Sequence, residues 1–299
     1  MLDRIEKLRG IIPDDNTAIL ITSDVNRFYY SGFKSSAGAV LVTADSVTLL
    51  VDFRYIEAAT KTAFKYIDVV CYKRLFDSLN EIIESEGIKR VIVEDNCVTI
   101  SQLNDIKSSV KAEIVDDFKL SDKILDFRVI KSADEIDKIK HAQSITEKSF
   151  NELLNYIKPG VTERSLALEL EHLMKLNGAE KIAFDIIAIS GKNTSLPHGV
   201  PSDKKLCGGD FLTFDIGAVY DGYHSDMTRT LALSYVSDEM QNVYNIVLNA
   251  HRAAAEKIIA GNTCADVDNA AREYISKNGY GECFGHTTGH GVGLEIHEK

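Results

Sequence analysis

With 299 residues, 44% apolar and 26% charged, the chain is long enough for two hydrophobic cores and too apolar for disorder or a fibrous repeat. A formal net charge of −11 excludes nucleic acid as the main partner, because such binding rests on neutralising phosphates with Lys and Arg. No apolar run approaches the ~18 residues of a membrane span, and Met1–Gly10 carries Asp3, Arg4, Glu6, Lys7 and Arg9 where a signal peptide needs an apolar stretch.

The early part of the chain alternates strand-like and helix-like text. Strands are predicted over 18–22, 39–43, 47–52, 69–72 and 91–94, with helices over 55–62 and 75–85. This is the pattern of a small α/β domain. After Asp116 the text turns polar, and Ser132 with Glu135 three residues on predicts the capped start of a long amphipathic helix. The boundary is therefore expected near Leu125, giving domains 1–125 and 126–299.

The second part repeats itself. Gly160 and Gly261 each follow a helical stretch, Asn177-Gly178 and Asn278-Gly279 each end the next one, and both landmarks are 101 residues apart. An internal duplication of a helix–helix–strand unit follows. Cys71, Cys97, Cys207, Cys264 and Cys283 are odd in number and lack CxxC spacing, which predicts neither a disulfide framework nor a zinc knuckle and fits a cytoplasmic protein.

Chemistry concentrates in three places. Residues 211–218 and 223–230 read as a β-hairpin, and an even-numbered turn puts Asp215 and Asp226 on one face with Thr213, His224, Thr228 and Thr230. Leu212, Phe214, Ile216 and Ala218 take the other face. Two like charges across a hairpin repel by several tenths of a kcal/mol, and a bound cation would reverse that sign. Solvated surface aspartates are the competing reading, and the apolar flanks oppose it. Residues 284–298 then bring His286, His290 and His297 among four glycines, a composition for backbone in close approach and for imidazole donors. This is not an HExxH helix, since no second His follows His297-Glu298. His198 lies in a loop marked by Pro197, Gly199 and Pro201, just before the hairpin.

A Pro-His-Gly loop, Asp residues eleven apart within DIG and SDMTRT, and HTTGHGVG leading into LEIHE together resemble the pita-bread metallopeptidases. That group includes aminopeptidase P, prolidase, methionine aminopeptidase and creatinase. The early segments Tyr30-Ser-Gly-Phe33 and Asp52-Phe-Arg-Tyr55 are similar to the creatinase-type N-terminal domain of its proline-specific branch. The resemblance implies an α/β (α+β) fold, with a small creatinase-like α/β domain followed by a pita-bread catalytic domain. It implies Asp215, Asp226 and His290 as ligands of two divalent metal ions, Mn²⁺ first, with Co²⁺ or Zn²⁺ as alternatives. His198, His286 and His297 would be catalytic, holding the substrate and the developing oxyanion.

The implied reaction is metal-dependent hydrolysis of the peptide bond preceding proline, by an Xaa-Pro aminopeptidase or dipeptidase acting on a proline-containing peptide. A homodimer is expected by the same likeness, and neither nucleic acid nor membrane is an expected partner. The competing class is a non-catalytic pita-bread module that binds peptides or proteins. Metal-free creatine hydrolysis is disfavoured because such enzymes have lost the metal-binding carboxylates. The family pattern also places two glutamates after the HE segment, where this sequence has no residues, and Glu295 and Glu298 belong to the histidine segment itself. The expectation is a catalytic domain missing its C-terminal end, with weak metal binding and poor turnover.

Overall fold

Short apolar runs separated by turn residues become the strands of an open sheet in the first part of the chain. The computed structural model describes residues 2–299. It divides into two units, Met1–Ile130 and Lys131–Lys299.

The first unit contains α1 (Leu2–Arg9), β1 (Thr17–Ile21), α2 (Asp24–Ser31), β2 (Ala39–Val42), β3 (Val47–Val51) and α3 (Ile56–Thr62). It continues with β4 (Asp68–Cys71), α4 (Leu75–Ser85), β5 (Arg90–Val93), α5 (Ile100–Ser109), β6 (Glu113–Val115) and α6 (Leu120–Val129). The sheet order is β4-β3-β2-β1-β5-β6, antiparallel within β1–β2–β3 and parallel at its flanks. Every residue of β1, β2 and β3 is buried, so these strands read as continuous apolar runs instead of alternating ones. The boundary expected near Leu125 falls inside α6. Leu120, Ile124 and Arg128, four residues apart, form a buried face of that helix, and Arg128 donates to Asn26 Oδ1 at 3.0 Å. That tie keeps α6 with the first unit.

The second unit runs α7 (Ala133–Leu153), α8 (Glu163–Leu176), β7 (Lys181–Ile182), β8 (Ile187–Ser190), β9 (Phe211–Ile216), β10 (Ala218–Tyr220), β11 (Tyr223–His224), β12 (Met227–Ala232), α9 (Asp238–Ala255) and α10 (Cys264–Lys277). Ser132 and Glu135 form the capping box that their spacing predicts for α7. The strands make two three-stranded sheets, β11-β10-β7 and β12-β9-β8. Phe150, Leu153, Leu166, Leu170 and Met174 of α7 and α8 pack on Leu212, Phe214 and Ile216 of β9. The pair α9–α10 has a smaller core around Ile246, Ala250, Ala271 and Ile275.

The duplication is visible in backbone geometry. Helices α8 and α10 each have 14 residues, are capped by Thr162 and Thr263, and end at Asn177 and Asn278. The flanking glycines share left-handed φ values: 90° and 99° at Gly160 and Gly261, 104° and 86° at Gly178 and Gly279. Among the described residues no helix is long and apolar enough to cross a membrane.

Candidate metal centre

The two faces of β9 separate as the alternation requires. Leu212, Phe214 and Ile216 are at most 1% exposed, and the Phe214 ring stands edge-on to Phe150 with centroids 5.4 Å apart. Thr213 and Asp215 therefore project from the opposite face. The chain reverses through Asp221-Gly222, a two-residue turn with φ of 46° and 83°, positive at both positions as a type I′ turn demands. Lys138 of α7 pairs with Asp221 at 2.5 Å, and Tyr223 donates to the buried Glu135 carboxylate at 2.9 Å.

This turn sets the register. Asp215 lies opposite Thr228 and Thr213 opposite Thr230. Thr228 Oγ1 donates to Asp215 Oδ1 at 2.9 Å. Asp226, two residues before Thr228, is thus a diagonal neighbour of Asp215 on the same face. The hairpin does not run as one ribbon. It passes from one sheet to the other at Gly217 and at Ser225-Asp226. A Cβ on residue 217 would collide with the Ser225 carbonyl oxygen, so glycine is what permits the crossing. The buried Ser225 hydroxyl accepts from the Ala218 N–H at 3.0 Å and meets Thr146 Oγ1 of α7 at 2.8 Å, which fixes the backbone from which Asp226 projects.

Burial, and then the Asp215 carboxylate beside it, push the Asp226 carboxyl above its usual range, against the opposing pull of His290 and His297. His290 Nε2 lies 3.2 Å from Asp226 Oδ2, each side chain about one quarter exposed, 29% and 26%. His290 Nδ1 is 2.9 Å from the Gly291 carbonyl, which can only accept; Nδ1 therefore carries the hydrogen and Nε2 is turned to Asp226. Two carboxylates and a ring nitrogen so placed need a proton or a cation between them, and that requirement is the fit of these residues to a metal ion. The His297 ring packs against His290, centroids 4.3 Å apart. As placed, no group of three or more His, Cys, Asp or Glu side chains among the described residues stands in metal-holding geometry.

The histidine segment is tied to the hairpin through its glycines. The His224 N–H donates to the Gly293 carbonyl at 2.8 Å, and its Nδ1 is 3.2 Å from the same oxygen; burial lowers the His224 pKa. Gly291 pairs with Glu298, whose N–H donates to the Gly291 carbonyl at 2.9 Å. Lys131 and the Glu298 carboxylate form an ion pair at 3.0 Å with side chains 14% and 3% exposed. The fold thus gathers Asp215, Asp226, His290 and His297. His286 and His198 are exposed and, among the described residues, share no hydrogen bond, ion pair or ring contact with that group.

Two supports had no strong sequence signal. Glu163, with no exposed surface, accepts at Oε1 from the Ser190 N–H (2.7 Å), the Ser190 hydroxyl (2.8 Å) and Asn193 (3.1 Å). At Oε2 it accepts from the Ser202 N–H (3.1 Å) and hydroxyl (2.7 Å), so one carboxylate ties both ends of the loop carrying His198. In the sequence it is merely an acid in the first turn of a helix. Asp268 and Arg272 fasten residues 284–288 to α10, and only their spacing of four, common on any helix surface, announces them.

Both units match known protein families. Residues 137–299 match metallopeptidase family M24, and residues 4–130 match the creatinase/prolidase N-terminal domain. The Xaa-Pro dipeptidase of Pyrococcus furiosus is 38% identical over 301 residues, covering 100% of this chain and 84% of that protein. Among solved structures, an Xaa-Pro dipeptidase from Bacillus anthracis superposes with a TM-score of 0.94 at 39% identity, covering 100% of this chain and 83% of its own. An X-Pro aminopeptidase from Thermotoga maritima gives 0.90 at 36% identity, covering 99% and 84%. These matches lend no support to reading the stop at Lys299 as a loss of function. Matched over both of its units, the chain belongs to metallopeptidase family M24, with a creatinase/prolidase-type N-terminal domain.

Proposed function

We propose that this chain hydrolyses the peptide bond preceding proline in a metal-dependent reaction, as an Xaa-Pro dipeptidase or Xaa-Pro aminopeptidase. The observation that carries the reading is Asp226, flanked by the Asp215 carboxylate and by His290 Nε2 at 3.2 Å. Asp215, Asp226 and His290 would hold the divalent ions. Carboxylate and imidazole donors without a thiolate favour Mn²⁺, with Co²⁺ or Zn²⁺ as alternatives. Bound divalent cations supply Lewis-acid polarisation and bring the pKa of water toward ~7.

The remaining work falls to the chain's own donors. The Gly291 carbonyl keeps the His290 Nδ1 protonated, so Nε2 stays available at Asp226. Thr228 holds Asp215 in orientation through its hydroxyl. His297, packed on His290, and His198 and His286, on exposed loops, hold the peptide and donate to the developing oxyanion. The reading includes a homodimer, by likeness to the family, and a cytoplasmic location, for which five exposed cysteines outside any disulfide among the described residues speak.

The test incubates the full chain with Mn²⁺ and, separately, an Xaa-Pro dipeptide and an Xaa-Pro-Xaa tripeptide, following product release by chromatography. Cleavage before proline that is lost in Asp226→Asn is the expected result, and the preferred substrate separates the two activities. Peptide binding without cleavage would replace this reading with that of a non-catalytic binding module.

A further inference from the structure

Residues 284–288 have no regular hydrogen-bonding pattern of their own and are held to one turn of α10. Asp268 and Arg272 of that helix form a two-point ion pair, Nε to Oδ2 at 2.8 Å and Nη2 to Oδ1 at 3.1 Å. Each partner also reaches the segment. Arg272 Nη1 donates to the Phe284 carbonyl at 2.8 Å and Nη2 to the His286 carbonyl at 2.9 Å. Asp268 Oδ1 accepts from both the N–H and the hydroxyl of Thr288 at 2.9 Å. The guanidinium lies 4.7 Å over the Phe284 ring. Hydrogen bonds from Arg272 and Thr288 hold the Asp268 carboxyl at about 2, so it stays an acceptor throughout the neutral range.

An exposed helical ion pair contributes little to stability by itself. This one differs because both partners span to a glycine-rich segment, and a planar guanidinium with a two-oxygen acceptor fixes direction as well as distance. Thr288 is two residues before His290, whose Nε2 meets Asp226. We propose that Asp268 and Arg272 are positioning residues for divalent-cation binding: they set the backbone of residues 284–288 so that His290 reaches Asp226. The proposal rests on the metal reading given above, and neither residue would touch the cation.

The experiment titrates Mn²⁺ calorimetrically into metal-free full-length wild type, Asp268→Asn, Arg272→Met, Arg272→Lys and Asp226→Asn. Thermal melts select conditions in which every variant is folded. Side-chain ¹⁵N spectra of the metal-free proteins record the His286, His290 and His224 rings. Expected are a roughly 10- to 100-fold weaker Mn²⁺ affinity in Asp268→Asn and Arg272→Met, the size typical when a partner that orients a metal ligand is removed. Arg272→Lys, which keeps the charge but not the fork, should fall between them and wild type. The His286 and His290 signals should move while that of His224, in the hairpin, stays. Wild-type affinity together with unmoved His290 signals in Asp268→Asn and Arg272→Met would overturn the clamp. If wild type and Asp226→Asn titrate identically, it is the metal reading that falls, and the His290 signals alone then decide the clamp.

Discussion

Replacing Glu163 with glutamine exchanges one carboxylate oxygen for an NH₂ group with almost no change in volume. Each oxygen of Glu163 faces a backbone N–H, from Ser190 on one side and Ser202 on the other, together with a serine hydroxyl. Whichever way the amide turns, its NH₂ meets a backbone donor that cannot rotate away, while the hydroxyls can adapt. The loss is one charge-assisted hydrogen bond in a site without solvent, about 2–3 kcal/mol. For a unit of this size that corresponds to a fall in melting temperature of roughly 4–12 °C at neutral pH. Although burial opposes it, hydrogen bonds from Ser202 and Ser190 leave the Glu163 pKa below the ordinary glutamate range. A depressed folded pKa contributes stability above the unfolded value of about 4.3, and that contribution is lost as pH falls through the folded value. The gap between wild type and Glu163→Gln, followed by circular dichroism, should be constant down to about pH 5 and close in stronger acid. Because the same carboxylate ties down the loop bearing His198, kcat/KM should fall even where both proteins are folded. Equal melting temperatures at neutral pH, or a gap that widens in acid, would refute this account.

Other consequences are accessible to the same measurements. Asp226→Asn removes one of two adjacent carboxylates, so the metal-free protein should be unchanged or more stable by up to about 1 kcal/mol, while any Mn²⁺-induced rise in melting temperature disappears. Phe214→Ala empties a site 1% exposed beside Phe150 and should cost about 3–5 kcal/mol by denaturant unfolding. Gly217→Ala forces the Ser225 carbonyl away where the hairpin changes sheets; a loss of about 1–3 kcal/mol is expected, with weaker Mn²⁺ binding because Asp226 is the next residue along. Lys131→Met removes the ammonium group paired with the largely buried Glu298 carboxylate and should lower the melting temperature.

Local patterns carried much of this protein into view. The period of two in 211–218 announced which residues of β9 would be buried, Ser132 with Glu135 marked the start of α7, and equal spacing of Gly and Asn landmarks revealed the duplication. These are short-range rules, set by backbone geometry and by the need to cap free N–H groups, so sequence suffices for them. The residues able to hold a cation were likewise readable as types: carboxylates on one hairpin face and histidines among glycines.

What only tertiary structure decided was which of these meet, and what holds them there. The diagonal placement of Asp226 follows from a two-residue turn; His290 meets Asp226 where the His224–Gly293 contact joins segments 69 residues apart. Glu163 and Asp268 look in sequence like ordinary helical acids, and their importance comes from loops that return to them from 20 to 39 residues away. Even α6, whose polar text suggested a domain boundary, belongs to the first unit because Arg128 reaches a partner 102 residues earlier. A side chain's type is written locally, whereas its partner is chosen by chain closure and shared burial, which no single stretch of sequence contains.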